Sequence, residues 1–167
     1  MANTYTLIQA QTLASAAASV TFSAIPATYT DLVVRVSARA TTANYANGFQ
    51  INLNGLTTNQ SARWLIGNGS AASSTAYAFL GGYTPAATAT ASTFNNSETY
   101  IPNYNSATNH PVSTFSADEN NTTGSIFLTA QAGLWSSATA ITSITVQCDT
   151  DNFVTGSSFY LYGIKNS

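Results

Sequence analysis

The chain has 167 residues, a length that suits one domain able to bury roughly 70% of its unfolded surface without cross-links. Only 6% of them are charged and the formal net charge is −2, so there is no basic stripe to neutralise a run of phosphates, and a nucleic-acid partner is excluded. Ser, Thr, Asn and Ala make up more than half of the chain while Leu, Glu and Lys are sparse, which disfavours helix and favours strands built on Thr, Tyr, Phe, Val and Ile.

The composition therefore predicts an all-β fold: a single β-sandwich domain over residues 1–167, two sheets of jelly-roll type, with roughly ten short antiparallel strands. The first candidates are Tyr5–Gln9 and Ser19–Ile25. In the next, Leu32, Val34, Val36 and Ala38 alternate with Val33, Arg35, Ser37 and Arg39, a period of two that puts one apolar row inward and both arginines on the outer face. Phe49, Ile51 and Leu53 repeat the pattern against Gln50, Asn52 and Asn54. Asn54-Gly55 then reads as a tight hairpin turn into a strand near Ser61 to Ile66, and Asn47-Gly48 offers a similar turn upstream.

Further strands are expected at Ala76–Leu80, Thr93–Ile101, Val112–Ala117, Ser125–Gln131, Ile141–Cys148 and Ser158–Ile164. The small polar stretches Ala14 to Ser19, Gly67 to Thr75 and Gly81 to Ser92 read as surface connectors. In the last strand, Phe159, Leu161 and Gly163 face one way and Tyr160, Tyr162 and Ile164 the other, a pattern expected of a strand covered on both sides.

Sheet edges are normally guarded by lysine, proline or inward charge, because bare rows of N–H and C=O recruit other strands. This chain has one lysine, Lys165, so a closed topology or a sister subunit is expected to cover the edges. Trp64-Leu65-Ile66 and Leu134-Trp135 are apolar enough to anchor such an interface, although for Trp64 and Trp135 core packing between the sheets is the plainer reading. Arg35 and Arg39 read either as a solvated strand face or as an interface pair for a carboxylate of another chain.

Groups for catalysis are few. His110 is the single histidine, placed before Pro111 in an Asn-rich stretch, and no Gly-x-Ser-x-Gly elbow accompanies it. Glu98 with Asp118 offers a carboxylate pair of the glycosidase kind without any spacing to select it. Asp118-Glu119-Asn120-Asn121 and Asp149 with Asp151-Asn152 read as solvated loop acids that match no calcium-loop pattern, with Asp118 and Glu119 able to meet partner arginines. Cys148 reads as a buried thiol. No cofactor is expected and no enzyme activity. Residues 1–24 lack a basic segment followed by a long apolar run, and no stretch is apolar enough to span a membrane, so the expectation is a soluble protein made in a cytoplasm.

The opening Tyr5-Thr6-Leu7-Ile8, the segment Val20-Thr21-Phe22-Ser23-Ala24-Ile25-Pro26-Ala27-Thr28-Tyr29-Thr30-Asp31-Leu32 and the run Asn96-Ser97-Glu98-Thr99-Tyr100-Ile101-Pro102-Asn103-Tyr104 resemble small structural proteins of tailed bacteriophages, notably those of aquatic and cyanobacterial hosts. So do Ala132-Gly133-Leu134-Trp135 and the ending Leu161-Tyr162-Gly163-Ile164-Lys165-Asn166-Ser167. The resemblance covers nearly the whole chain but defines no active site. It implies a virion protein, with capsid decoration (cement) on the outside of the head as the expected role, as a homotrimer bound to the major capsid protein. The alternative it leaves open is a tail-fibre or receptor-binding module that recognises host-surface glycan, for which Tyr83, Tyr100, Tyr104 and Trp135 are the stacking candidates.

Overall fold

The structure, a computed structural model, describes residues 4–122 and 126–165. It is all-β, with twelve strands among the described residues. They are β1 (Tyr5–Thr12), β2 (Ser19–Phe22), β3 (Asp31–Ser37), β4 (Ala46–Leu53), β5 (Gln60–Gly67), β6 (Ala72–Tyr77), β7 (Leu80–Pro85), β8 (Asn96–Ile101), β9 (His110–Ala117), β10 (Leu128–Trp135), β11 (Ile144–Cys148) and β12 (Ser158–Ile164). Eight form one sheet in the order β1-β12-β3-β8-β9-β10-β5-β6, and four form a second in the order β2-β11-β4-β7. All pairings between these strands are antiparallel.

The core between the sheets is built by alternation. Leu32, Val34 and Val36 of β3 and Phe159 and Leu161 of β12 point inward from the large sheet; Val20 and Phe22 of β2, Phe49, Ile51 and Leu53 of β4, and Ile144 and Val146 of β11 meet them from the small one. Each is at most 3% exposed, and removing that apolar surface from water is the main force holding the sheets together. Where β5 and β6 extend the large sheet, an aromatic group closes the interior instead. Trp64 packs on Tyr77, Phe79 and Tyr83 with ring centroids 4.7, 5.4 and 5.8 Å away, and Tyr83 packs on Phe127 at 4.4 Å.

Several expectations change. Asn54 (φ 51°) and Gly55 (φ 69°) do form the left-handed turn, but β5 does not fold back onto β4. It crosses to the other sheet, between β10 and β6. Gln60 braces this crossover: its amide donates to the Ile51 carbonyl at 3.1 Å and accepts from the Leu80 N–H at 3.1 Å. Asn47-Gly48 is not a turn but part of β4, paired with Thr84 and Tyr83. The lack of a side chain at Gly48 makes room for Asp149, whose carboxylate fills the space a Cβ would occupy.

The segments read as connectors at Gly67 to Thr75 and Gly81 to Ser92 contain most of β6 and β7, because main-chain pairing asks little of small side chains. The expected Ser125–Gln131 strand runs Leu128–Trp135, and Ser125 lies outside the described residues. β12 is fully buried on its inward side and partly covered on the other, where Ile164 is buried and Tyr160 and Tyr162 are half-buried.

Candidate functional site

The two outward faces of the sandwich differ in chemistry. On the four-stranded sheet, Ser19 and Thr21 of β2, Thr145 and Gln147 of β11, and Gln50 and Asn52 of β4 form rows of hydroxyls and amides. Two bonds link neighbouring strands: Thr21 and Thr145 share a hydrogen bond of 2.9 Å, and the Asn52 amide donates to Gln147 Oε1 at 2.9 Å.

On the eight-stranded sheet, strand register places Tyr160, Arg35, Glu98, Phe115, Ala130, Leu65 and Ser74 side by side in one row. The adjacent row holds Leu7, Tyr162, Val33, Tyr100, Ser113, Ala132, Arg63 and Ala76. Among the described residues, Tyr5, Leu7, Leu65, Phe115 and Leu128 on this face are between 49% and 56% exposed. Leu65, Phe115 and Leu128 lie on the adjacent strands β5, β9 and β10, so their open apolar surface falls together, while Tyr5 and Leu7 lie on the edge strand β1. The small outward side chains of β10, Ala130 and Ala132, lower the middle of the face into a shallow trough, walled by Arg63 and Leu65 on one side and Tyr100 and Pro111 on the other.

The residues singled out from the sequence scatter over this architecture. Arg35 is on the outward face, where its guanidinium pairs with Glu98 at 2.7 Å, so its carboxylate is supplied by the neighbouring strand of the same chain. Arg39 does not share that face. It lies beyond β3, is 8% exposed, and donates to the carbonyls of Ala87, Ala89, Thr90 and Thr93 and to the Thr93 hydroxyl, at 2.7 to 3.3 Å. It is the internal brace of the loop between β7 and β8, and burial lowers its pKa from the usual value. With Nη1 and Nη2 both committed to acceptors of its own chain, this buried guanidinium has no free pair of terminal N–H groups for a partner's carboxylate.

Trp64 and Trp135 are 1% and 0% exposed, so both are core residues, not interface anchors. Of the two apolar stretches, Leu65 is the side chain most open to solvent, at 56%. Glu119 is exposed, and its carboxylate accepts from the Asn121 N–H at 2.7 Å. Asp118 is wholly buried and accepts from the Phe127 N–H, which corrects its reading as a solvated loop acid. Desolvation pushes its pKa up to about 6, against the bond from Phe127 and reinforced by the charge of Glu119.

The groups considered for catalysis are kept apart. His110 is the first residue of β9, fully buried, stacked on Trp135 at 5.5 Å, with Nε2 bonded to the Thr139 carbonyl at 2.9 Å. Asp118 follows the far end of the same strand, roughly 25 Å away at strand rise. Glu98 points outward to Arg35 while Asp118 points inward, so the sheet separates that pair. Cys148 is buried among Asn47 and Thr150, and desolvation raises its pKa to about 11, which keeps it an unreactive thiol. Of the glycan-stacking candidates, Tyr104 and Trp135 are buried. Tyr83 is packed on Trp64 and Phe127, and Tyr100 donates its hydroxyl to Asp31 at 2.7 Å.

Sequence reasoning missed Phe115 and Leu128 as surface groups. The signal was available for Phe115, since Val112, Thr114 and Ser116 take the inward parity of β9 and leave Phe115 outside. The same parity carries on to Asp118.

The fold and this face define a two-sheet β-sandwich with one apolar, sparsely charged outer surface. No family model matches the chain, and neither does any curated protein or solved structure.

Proposed function

We propose that this chain is a virion structural protein that decorates the outside of a phage head, bound to the major capsid protein as a homotrimer, and that the outward face of the eight-stranded sheet is its contact surface. The observation that carries the reading is the open apolar surface at Tyr5, Leu7, Leu65, Phe115 and Leu128 on a face with few charges. Burying such a surface against a lattice of identical subunits stabilises only the assembled state, and many modest contacts repeated around a shell add up.

Strand order supports a jelly-roll reading of the sandwich. With β5, β6, β9 and β10 taken as additions to the large sheet, the remaining eight strands run β1-β12-β3-β8 and β2-β11-β4-β7. The chain then changes sheet at each of β1–β2, β2–β3, β3–β4, β7–β8, β8–β11 and β11–β12 and stays in one sheet only from β4 to β7, as in paired Greek keys, an architecture that viral capsid proteins and lectins use. The trimer is supported by the edges. β1 and β6 end the large sheet at opposite sides, are unlike in sequence, and contain neither lysine nor proline. Unlike free edges suit head-to-tail contacts, which close into a ring when the rotation allows.

Purified protein mixed with bare expanded heads tests the proposal. It is expected to sediment with them saturably and to run as a trimer when free; protein that stays in the supernatant at all concentrations overturns the decoration role. One observation favours a second reading, glycan recognition on a tail fibre: Tyr5, Tyr100, Tyr160 and Tyr162 gather at one end of the same face, with Tyr5 and Tyr160 each 6.4 Å from Tyr162. Tyrosines on a flat face can stack on sugar rings. Saturable binding to host-surface polysaccharide, lost in Tyr5→Ala with Tyr160→Ala, would favour that module over decoration.

A further inference from the structure

At the end of the β9–β10 pair the interior holds a corner of oxygen atoms that have no hydrogen-bond partner among the described residues. β9 points His110, Val112, Thr114 and Ser116 inward, and the alternation runs past its last residue to Asp118. Backbone bonding continues with it: the Asp118 N–H donates to the Phe127 carbonyl at 3.1 Å, while Asp118 Oδ1 accepts from the Phe127 N–H. Thr129 lies opposite Ser116, one inward rung from Asp118. Asn120, two residues beyond Asp118, folds back so that its Nδ2 donates to the Asp118 carbonyl at 2.9 Å.

These three side chains are 0%, 1% and 3% exposed for Asp118, Thr129 and Asn120. Asp118 Oδ2, Thr129 Oγ1 and Asn120 Oδ1 are all buried, and among the described residues none of them has a hydrogen-bond partner. An orphaned polar atom in a core is costly, and an orphaned carboxylate oxygen more so. Three at one corner, all oxygen and one of them from a carboxylate, ask for a common ligand.

The charge around the corner decides which ligand. Glu119 adds a second negative charge beside Asp118. The arginines are engaged elsewhere or face away: Arg35 holds Glu98 on the outer face, Arg39 braces the β7–β8 loop, and Arg63 is on the outward side of β5. Among the described residues, no ion pair includes Asp118. A water molecule would satisfy the hydrogen bonds but leave the charge uncompensated. Carboxylate, amide carbonyl and hydroxyl are the donor types that hard cations prefer.

We propose that Asp118 Oδ2, Asn120 Oδ1 and Thr129 Oγ1 bind one hard divalent cation of the calcium class, which ties the end of the β9–β10 pair to the loop that follows β9. Calcium takes about six to eight oxygens, so water and main-chain carbonyls complete the shell. The site faces the interior, away from the contact surface proposed above, and stands or falls independently of the virion role.

Terbium, which replaces calcium and emits when excited through a nearby aromatic ring, is the direct probe, because Tyr83 lies within electrostatic reach of Asp118. Full-length protein stripped with chelator and desalted is expected to give saturable terbium emission on excitation of its aromatic residues, and calcium is expected to displace it while potassium does not. Millimolar calcium should raise the midpoint of thermal unfolding by about 5 °C, the size of shift produced when a ligand binds the folded state alone at a concentration well above its Kd. Asp118→Asn, which keeps the acceptor for Phe127, should abolish both responses, and Thr129→Val should weaken terbium binding roughly tenfold. Absence of terbium emission and of any calcium effect in the unmodified protein overturns the proposal and leaves a protonated or hydrated corner. So does an Asp118→Asn variant that responds as the parent does.

Discussion

The outer faces of the two sheets have opposite characters although both are built by the same alternation. On the four-stranded sheet the outward positions carry Ser19, Thr21, Gln50, Asn52, Thr145 and Gln147, with Thr21 bonded to Thr145 and Asn52 to Gln147. On the eight-stranded sheet they carry tyrosines, Leu7, Leu65, Phe115 and Leu128 around one ion pair. In a chain that is only 6% charged, neutral polar groups are what keep a face in water. The contrast teaches that one alternation can set neutral polar groups on one outer face and open apolar side chains on the other, and the proposed contact surface rests on that difference.

The largest effect is expected from the two sides of a single strand. Trp64 and Leu65 are neighbours on β5, one 1% exposed and the other 56%. Trp64→Ala should cost about 3–5 kcal/mol in chemical denaturation, as large-to-small changes in cores do, while Leu65→Ala should stay within about 0.5 kcal/mol. Equal losses at both positions would erase the distinction between inner and outer faces on which the contact surface depends.

Next comes assembly. Leu65→Lys combined with Phe115→Lys should weaken attachment to heads about a hundredfold, near 2.7 kcal/mol, with little change in unfolding midpoint. Thr145→Lys combined with Gln147→Lys on the polar face should leave attachment within about twofold. Co-sedimentation of the two double variants side by side breaks the comparison if they behave alike.

Asp118 lies on neither outer face and tests the interior between them. Its pKa is raised from 3.8 to about 6 by burial, with Glu119 adding to the shift and Tyr83 packed nearby, so between these values the folded state holds a proton that the unfolded state has released. Stability from this group is therefore full below about pH 4 and is lost as pH rises through 6, a change on the order of 2–3 kcal/mol in chelator. Urea titrations at pH 4.5 and 7.5 should show this loss in the parent and a flatter profile in Asp118→Asn. The smallest effect belongs to Arg35 and Glu98, which are 55% and 43% exposed. Arg35→Ala should cost less than about 1 kcal/mol and that loss should fade in high salt.

Much of the fold was legible in residue order because alternation is a local property. Leu32 to Val36, Phe49 to Leu53 and Ser158 to Ile164 show their inward rows without reference to any partner. Less of the candidate site was legible. Trp64-Leu65-Ile66 is apolar at three consecutive positions, so parity is ambiguous, and only pairing with β10 and β6 turned Trp64 in and Leu65 out. Arg39 matches the outward parity of Arg35, yet the chain has left β3 by then and the β7–β8 loop encloses it.

The sequence by itself determined the strand class, most strand positions and the scarcity of charge, because each follows from side-chain shape, period and composition along a short stretch. Tertiary structure alone decided which sheet β5 joins, which acid is buried and which face remains apolar and open. Those outcomes depend on contacts between residues distant along the chain, such as Arg35 with Glu98 or Asp118 with Phe127, whose geometry exists only once the strands have paired.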